Sequence, residues 1–543
     1  MYLCLADYLD GSINMILTSL QNIIGDPHVV IIIFLSAFFG VFIGATPGLT
    51  ATMAVAMLVP ITYWMDPVSA LAAVVTMEAC AIFAGDIPSA LLRIPGTPAS
   101  AAYTNDARNL TRQGKYELVL GTSLVCSVVG GILGAVILIL LGHRLASAAT
   151  AFSAVEYFWL YLIGLSSAVI VSSGSKLNAM LALSIGLLLS TVGLSAAHSE
   201  ARFTFGIAEL YGGISFIPAM IGLFGVSEVF NNLVRIRTGS KSDAEHLAVQ
   251  DKAPSSAIWQ QRFIYDPIRL VFGSGIKMLI QRPAHILRSS GIGTVIGMLP
   301  GAGADIAAWI SFAVSKRFSK KPQLYGQESI EGIADASTAN NAALAGAWIP
   351  ALILGIPGDS VTAIVIGILL MKNITPGPEI FIKQAELVYS IYVVFILANI
   401  VLLPIGFIAI KAGKLLTCFP KTILLPSILL FCMVGSYALN SNYLDILIML
   451  IMGILGFILE RHNVPLAPIV LGLILGGTVE ERFIQIMTGS DNFLAGFLDP
   501  HRPLALGLAS IFVLMWIFTI VTSIFLRPSS LERVWIRLRR NDG

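Results

Sequence analysis

Four apolar segments of this chain are each broken in the middle by Pro-Gly, and this limits the possible folds more than any other feature. The stretch GTVIGMLPGAGADIAAWISF, from Gly293 to Phe312, carries the break Pro300-Gly301. GVFIGATPGLTATMAVAMLV, from Gly40 to Val59, carries Pro47-Gly48, and the two superpose at a constant offset of 253 residues, Gly40 on Gly293 and Gly44 on Gly297. A second pair follows at a nearby offset: LLRIPGTPASAA (Leu91 to Ala102) and LILGIPGDSVTA (Leu352 to Ala363) share Ile-Pro-Gly, at Pro95-Gly96 and Pro357-Gly358. A Pro-Gly break removes backbone hydrogen bonds that hydrocarbon cannot replace, so it persists at membrane depth only where protein or water covers it. Paired broken helices in two halves of a chain are the arrangement transporters use for a substrate site.

The setting is a membrane. Apolar residues make up 56% of the chain and charged residues 12%, with a mean hydropathy of +0.85. At about 20 residues per crossing this gives about eleven or twelve transmembrane or re-entrant segments. The expected fold class is therefore an all-α polytopic membrane protein in two, inverted, repeats with Pro-Gly-broken hairpins. Residues 1–25 have no basic leader and no cleavage site, and they read as an amphipathic helix lying at the interface. Membrane repeat one covers 28–230, a polar loop covers 235–288, membrane repeat two covers 289–500, and 504–543 hold the last span and a basic tail. Within repeat one, Gly130 and Gly134 stand in a GxxxG packing register.

Charge sets the expected orientation. The 235–288 loop carries nine Lys and Arg against four acids, and the tail carries Arg527, Arg533, Arg537, Arg539 and Arg540, so both are expected in the cytoplasm. The Gly293 segment has basic residues on both flanks, Arg282 and Arg288 before it and Lys316 and Arg317 after it. A hairpin with Pro-Gly at its tip keeps both flanks on one side. Its twin is flanked by Asp26, His28 and Asp66, with no basic residue near either end, and is expected to come in from the outer side.

Chemistry-bearing motifs are few. There is no P-loop, the SxxK match at Ser173–Lys176 has no companion motif, the five cysteines form no CxxC, and the seven histidines show no ligand spacing. No enzyme, no catalytic residue and no cofactor are expected, and no confident metal site. A binding-competent set does exist at the breaks. A half-helix start presents free N–H groups and a partial positive charge. Hydroxyl residues follow the breaks: Thr50 and Thr52, Thr97 and Ser100, Ser360 and Thr362. Gly303, Asn340, Asn341 and Asp359 stand beside them. This set suits a carboxylate, with freed carbonyls suited to Na⁺. A channel or export pore for small anions, or an unrecognised intramembrane enzyme, are the competing readings.

These motifs resemble those of the large membrane subunit of the tripartite tricarboxylate transporters. The resemblance rests on GxxxGxxPG at Gly40–Gly48, IPGTPASAA at Ile94–Ala102 and GxxxGxxPGAG at Gly293–Gly303. It continues through NNAALAG at Asn340–Gly346, LGIPGDSVTA at Leu354–Ala363 and TPGP at Thr375–Pro378. It implies uptake of a tri-, di- or aromatic carboxylate across a bacterial inner membrane, driven by Na⁺ or H⁺, with a small membrane subunit and a periplasmic solute-binding protein as partners and no nucleic acid. The chain departs from the family pattern before its first Ile-Pro-Gly, where it has Glu78, Gly85-Asp86-Ile87 and Arg93. At helical spacing these three charges share one face. Arg93 is expected either to pair with Asp86 or Glu78 or to grip a substrate carboxylate in the cavity.

Overall fold

The computed structural model describes residues 2–47, 49–172, 175–195, 200–237, 265–416, 421–489, 496–498 and 501–525. It is almost entirely helical. Eight helices are long and apolar enough to cross a membrane, and four shorter apolar helices accompany them among the described residues. Among the described residues one two-stranded ribbon pairs β1 (Gly193–Leu194) with β2 (Ala201–Arg202).

The first half begins with α1 (Tyr2–Gly25) and α2 (Pro27–Ala45). Then come α3 (Ala51–Thr62), α4 (Pro67–Ala84), α5 (Asp86–Leu92) and α6 (Thr104–Arg112), followed by the long α7 (Tyr116–Ala149). After it stand α8 (Ala154–Val171), α9 (Lys176–Ser190), α10 (Phe216–Met220) and α11 (Ser227–Arg237), the last two joined by a π-turn over Ile221–Val226. The second half has α12 (Tyr265–Gln281), α13 (Pro283–Gly297), α14 (Gly303–Phe318), α15 (Ile330–Leu354) and α16 (Ser360–Met371). It closes with α17 (Ile380–Lys383), α18 (Ala385–Leu416), α19 (Lys421–Asn440), α20 (Tyr443–Arg461), α21 (Ala467–Thr488) and α22 (Pro503–Phe525). The 235–288 loop is corrected in part: α12 is a helix lying along α7, with Gly121 against the Val271 carbonyl. Residues 238–264 and the tail beyond 525 lie outside the described residues.

Small residues let the central helices approach closely, as packing in lipid requires. A Cβ at Gly40 or Gly44 of α2 would stand 2.4 or 2.3 Å from the carbonyls of Met77 and Ala81 on α4. A Cβ at Gly293 or Gly297 of α13 would stand 2.3 Å from the carbonyls of Ala339 and Ala343 on α15. Thus α2 runs parallel to α4, and α13 runs parallel to α15. The GxxxG pair on α7 packs in the same way, with Gly130 on Thr338 and Gly134 on Ala342, so α7 is parallel to α15.

The directions of the two motifs follow from α18. It runs antiparallel to α7, with Tyr116 bonded to the Ile410 carbonyl at one end and Gly142 beside Tyr392 at the other. It runs parallel to the single span that α4 and α5 make, Pro67–Leu92, with Gly406 against Phe83 and Gly413 against Ile87. Hence α4 and α15 are antiparallel, and the α2–α3 and α13–α14 hairpins come in from opposite ends of the bundle. At the α3 end, Lys372 donates to the Tyr63 and Met65 carbonyls. At the other end, Arg282 and Arg288 meet the buried Asp335 of α15 at 3.8 and 3.1 Å.

Candidate functional site

Each Pro-Gly break is closed by its own local hydrogen bonds. After the first, Thr50 caps α3 by accepting the Met53 N–H. At the second, α5 ends on Arg93, which takes a left-handed conformation at φ 60° while the Ile94 N–H reaches the Pro88 carbonyl. At the fourth, Gly355 does the same for α15 at φ 67°, and the Ile356 N–H reaches the Pro350 carbonyl. The chain then doubles back in both places. A Cβ at Gly96 would strike Gly85, and one at Gly358 would strike Ala347. Reciprocal caps follow, Thr97 with Ser100 and Asp359 with Thr362. These pairs all stand 262 residues apart. At the third break Gly301 (φ 80°) and Gly303 (φ 61°) make a turn that a side chain resists.

Three breaks are tied to one another. The Gly301 N–H donates to the Gly358 carbonyl at 2.8 Å, joining the third to the fourth. The Ala99 N–H donates to Asp305 Oδ1 at 3.1 Å and Trp309 Nε1 donates to the Pro98 carbonyl at 3.1 Å, joining the second to α14. Ser167 on α8 donates to the Pro300 carbonyl. Together with the start of α3 they surround one cavity of about 490 Å³.

Of the residues singled out in the sequence, Thr50, Thr52, Thr97, Gly301, Gly303, Asn340, Asp359 and Ser360 line this cavity. Pro47, Pro95, Gly96, Ser100, Pro300, Pro357, Gly358 and Thr362 are not among its lining residues and shape the turns around it. Gly48 lies outside the described residues. Two expectations are corrected. Asn341 turns away and donates to Asn399 and to the Ser127 carbonyl, because adjacent residues on a helix point about 100° apart. Arg93 is exposed, bonds Asn105 Oδ1 at 3.1 Å and meets neither acid nor cavity. Asp86 is instead held by the hydroxyls of Tyr103 and Ser123.

The sequence reading missed acids. Glu78, Glu228, Asp305, Asp359 and Glu460 all line the cavity, with no Lys, Arg or His among its lining residues. Of these, the sequence points to Asp359 alone. Asp305 stands in the first turn after the third break and was discoverable from position alone. Glu228 and Glu460 come from helices whose meeting no local pattern announces.

A family profile described as "Tripartite tricarboxylate transporter TctA family" matches residues 30–471. The chain is 33% identical over 454 residues to an uncharacterized 52.8 kDa protein in the TAR-I ttuC' 3' region of Agrobacterium vitis, covering 84% of this chain and 86% of that one. It is 34% identical over 224 residues to an uncharacterized protein in the TAR-II ttuC' 3' region of the same organism, covering 41% of this chain and 93% of that one. No solved structure matches the chain.

Proposed function

Because this chain belongs to the tripartite tricarboxylate transporter TctA family, we propose that it is the large permease subunit of a three-component secondary transporter. It takes up a tri-, di- or aromatic carboxylate across the bacterial inner membrane, coupled to Na⁺ or H⁺. A periplasmic binding protein delivers the substrate and a small membrane subunit completes the complex. The observation that carries this reading is the convergence of all four broken segments on one cavity. Residues from α3, α14 and α16 line it near their N-terminal ends, where hydroxyls and free N–H groups can hold carboxylate oxygens. The antiparallel α2–α4 and α13–α15 motifs suit two inverted repeats that rock about a fixed site.

Acids in the cavity make the coupling ion part of the binding chemistry. An anion entering beside several carboxylates is repelled unless a cation or proton offsets them. The Lys and Arg cluster near Arg282, Arg288 and Lys316 supports a cytoplasmic position for that end of the bundle.

The test is uptake of radiolabelled citrate, a C4 dicarboxylate and benzoate into proteoliposomes holding both membrane subunits, with the binding protein added outside. A Na⁺ or a proton gradient is imposed in turn. Accumulation of at least one carboxylate under one gradient is expected. No accumulation of any under either gradient would sink the permease reading.

A further inference from the structure

Most acids in the cavity already have a donor. Asp305 receives the Ala99 N–H, Asp359 caps α16, Glu228 receives Asn232, and Glu460 receives Asn231. Glu78 differs. It lines the cavity, is 2% exposed, and its Oε2 has no hydrogen-bond partner. It also stands near the middle of the span Pro67–Leu92.

No cation offsets it. Among the described residues, the helices packed on α4 carry their charges toward their ends: His28 on α2, Glu117, His143 and Arg144 on α7, Glu331 and Asp335 on α15, and Glu386, Lys411 and Lys414 on α18. α3 and α16 carry none. Asp86 stands about two turns further along the same span and is held by Tyr103 and Ser123. The charged group in electrostatic reach of Glu78 is another acid, Asp359. The fourth break sets Asp359 there, since a Cβ at Gly358 would stand 2.7 Å from the Cα of Ala347, the chain neighbour of Trp348. The Trp348 indole N–H approaches Glu78 without reaching hydrogen-bond geometry and is itself unpartnered. Its ring is fully buried, edge-on to Phe395 at 5.2 Å.

The two protonation states of Glu78 have different needs. A carboxylate at this depth is costly without a cation, and a neutral carboxyl is not. The ionised form gains by drawing in the Trp348 N–H, a charge-assisted bond from α4 in the first half to α15 in the second. A substrate carboxylate in the cavity adds a negative charge near Glu78 and favours the neutral form. Substrate and proton then bind together, each tightening the other.

We propose that Glu78 carries the coupling proton, taken up with the carboxylate from the outer side and released to the cytoplasm, with Trp348 as the positioning residue whose N–H the carboxylate accepts once the proton has left. This rests on reading the cavity as the substrate site, and it selects H⁺ over Na⁺ as the coupling ion.

Two measurements test it. In purified full-length protein, infrared spectroscopy reads the C=O stretch of a protonated carboxyl group. Wild type near neutral pH is expected to show a band that Glu78→Gln lacks, and bound citrate, C4 dicarboxylate or benzoate should hold that band to higher pH. Trp348→Phe, which removes the donor, should also hold it to higher pH; an unchanged titration would remove Trp348 from the assignment. In proteoliposomes holding both membrane subunits, with the binding protein outside, one proton carried down a gradient of about one pH unit supports about tenfold accumulation. Wild type is expected to reach that ratio. Glu78→Gln, with no proton to lose, is expected to fall to a ratio of about one while still exchanging labelled for unlabelled carboxylate. The assignment is refuted if the two infrared spectra match, if Glu78→Gln accumulates like the wild type or loses exchange as well, or if Na⁺ alone drives the wild type. Failure of the permease reading looks different: the wild type then neither exchanges nor accumulates any of the three carboxylates, while the infrared band still reports the proton on Glu78.

Discussion

Replacing Gly297 with alanine tests the close approach of α13 and α15 on which the third break depends. The new Cβ would lie 2.3 Å from the Ala343 carbonyl oxygen and 2.9 Å from its Cα, where ordinary contact begins at 3.4 Å. The helices must part by about 1 Å, and a gap of that size forfeits a quarter to a half of each dispersion contact along the seam. Overpacking of this kind costs about 1–3 kcal/mol, and helix pairs in lipid have little hydrophobic drive with which to recover it. Gly291 on the same helix supplies the control, because a Cβ there meets nothing within 4 Å. Thermal or SDS-driven unfolding of the solubilised protein should place Gly297→Ala below wild type by that amount and Gly291→Ala within about 0.5 kcal/mol of it. Gly297→Ala also moves the tip that sets the Gly301–Gly358 bond, so uptake should fall with stability. Equal stability of the two variants would refute the packing argument.

Asp335→Ala removes the carboxylate that Arg288 meets at 3.1 Å, while Arg282 keeps Glu331 at 3.4 Å, and should cost about 3 kcal/mol in the same unfolding assay. Arg93→Gln loses one exposed hydrogen bond to Asn105, so stability should change by less than about 0.5 kcal/mol and the uptake KM should stay at the wild-type value. Single cysteines introduced by Ser255→Cys and Ser530→Cys in a cysteine-free background should resist a membrane-impermeant thiol reagent in intact spheroplasts. Labelling of either from outside would overturn the orientation.

The spans were legible because long apolar runs leave few alternatives in lipid. The apolar runs Ala154–Val171 and Tyr443–Arg461, for example, form α8 and α20. α12 was hidden because Arg269 and Lys277 raise the polarity of a helix whose other face packs on α7. Arg93 leaves the face that its spacing from Asp86 implies, because that spacing holds only along a continuous helix. The helix ends at Leu92, and the left-handed cap at Arg93 swings the side chain out. The cavity was legible in outline, since Pro-Gly breaks and the hydroxyls beside them are local signals. Its acidity was not, because Glu228 and Glu460 reach it from helices far apart in sequence.

The central claim is that substrate sits among the four breaks. The most direct measurement is substrate protection of single cysteines made by Thr50→Cys, Thr97→Cys and Ser360→Cys in a cysteine-free background, with Arg93→Cys as the control outside the cavity. Each line-of-cavity cysteine belongs to a different broken segment. The account predicts that a transported carboxylate, supplied with its coupling ion, slows thiol labelling at all three positions and leaves Arg93→Cys unchanged. Unslowed labelling at all three positions, in protein that still transports, would contradict it.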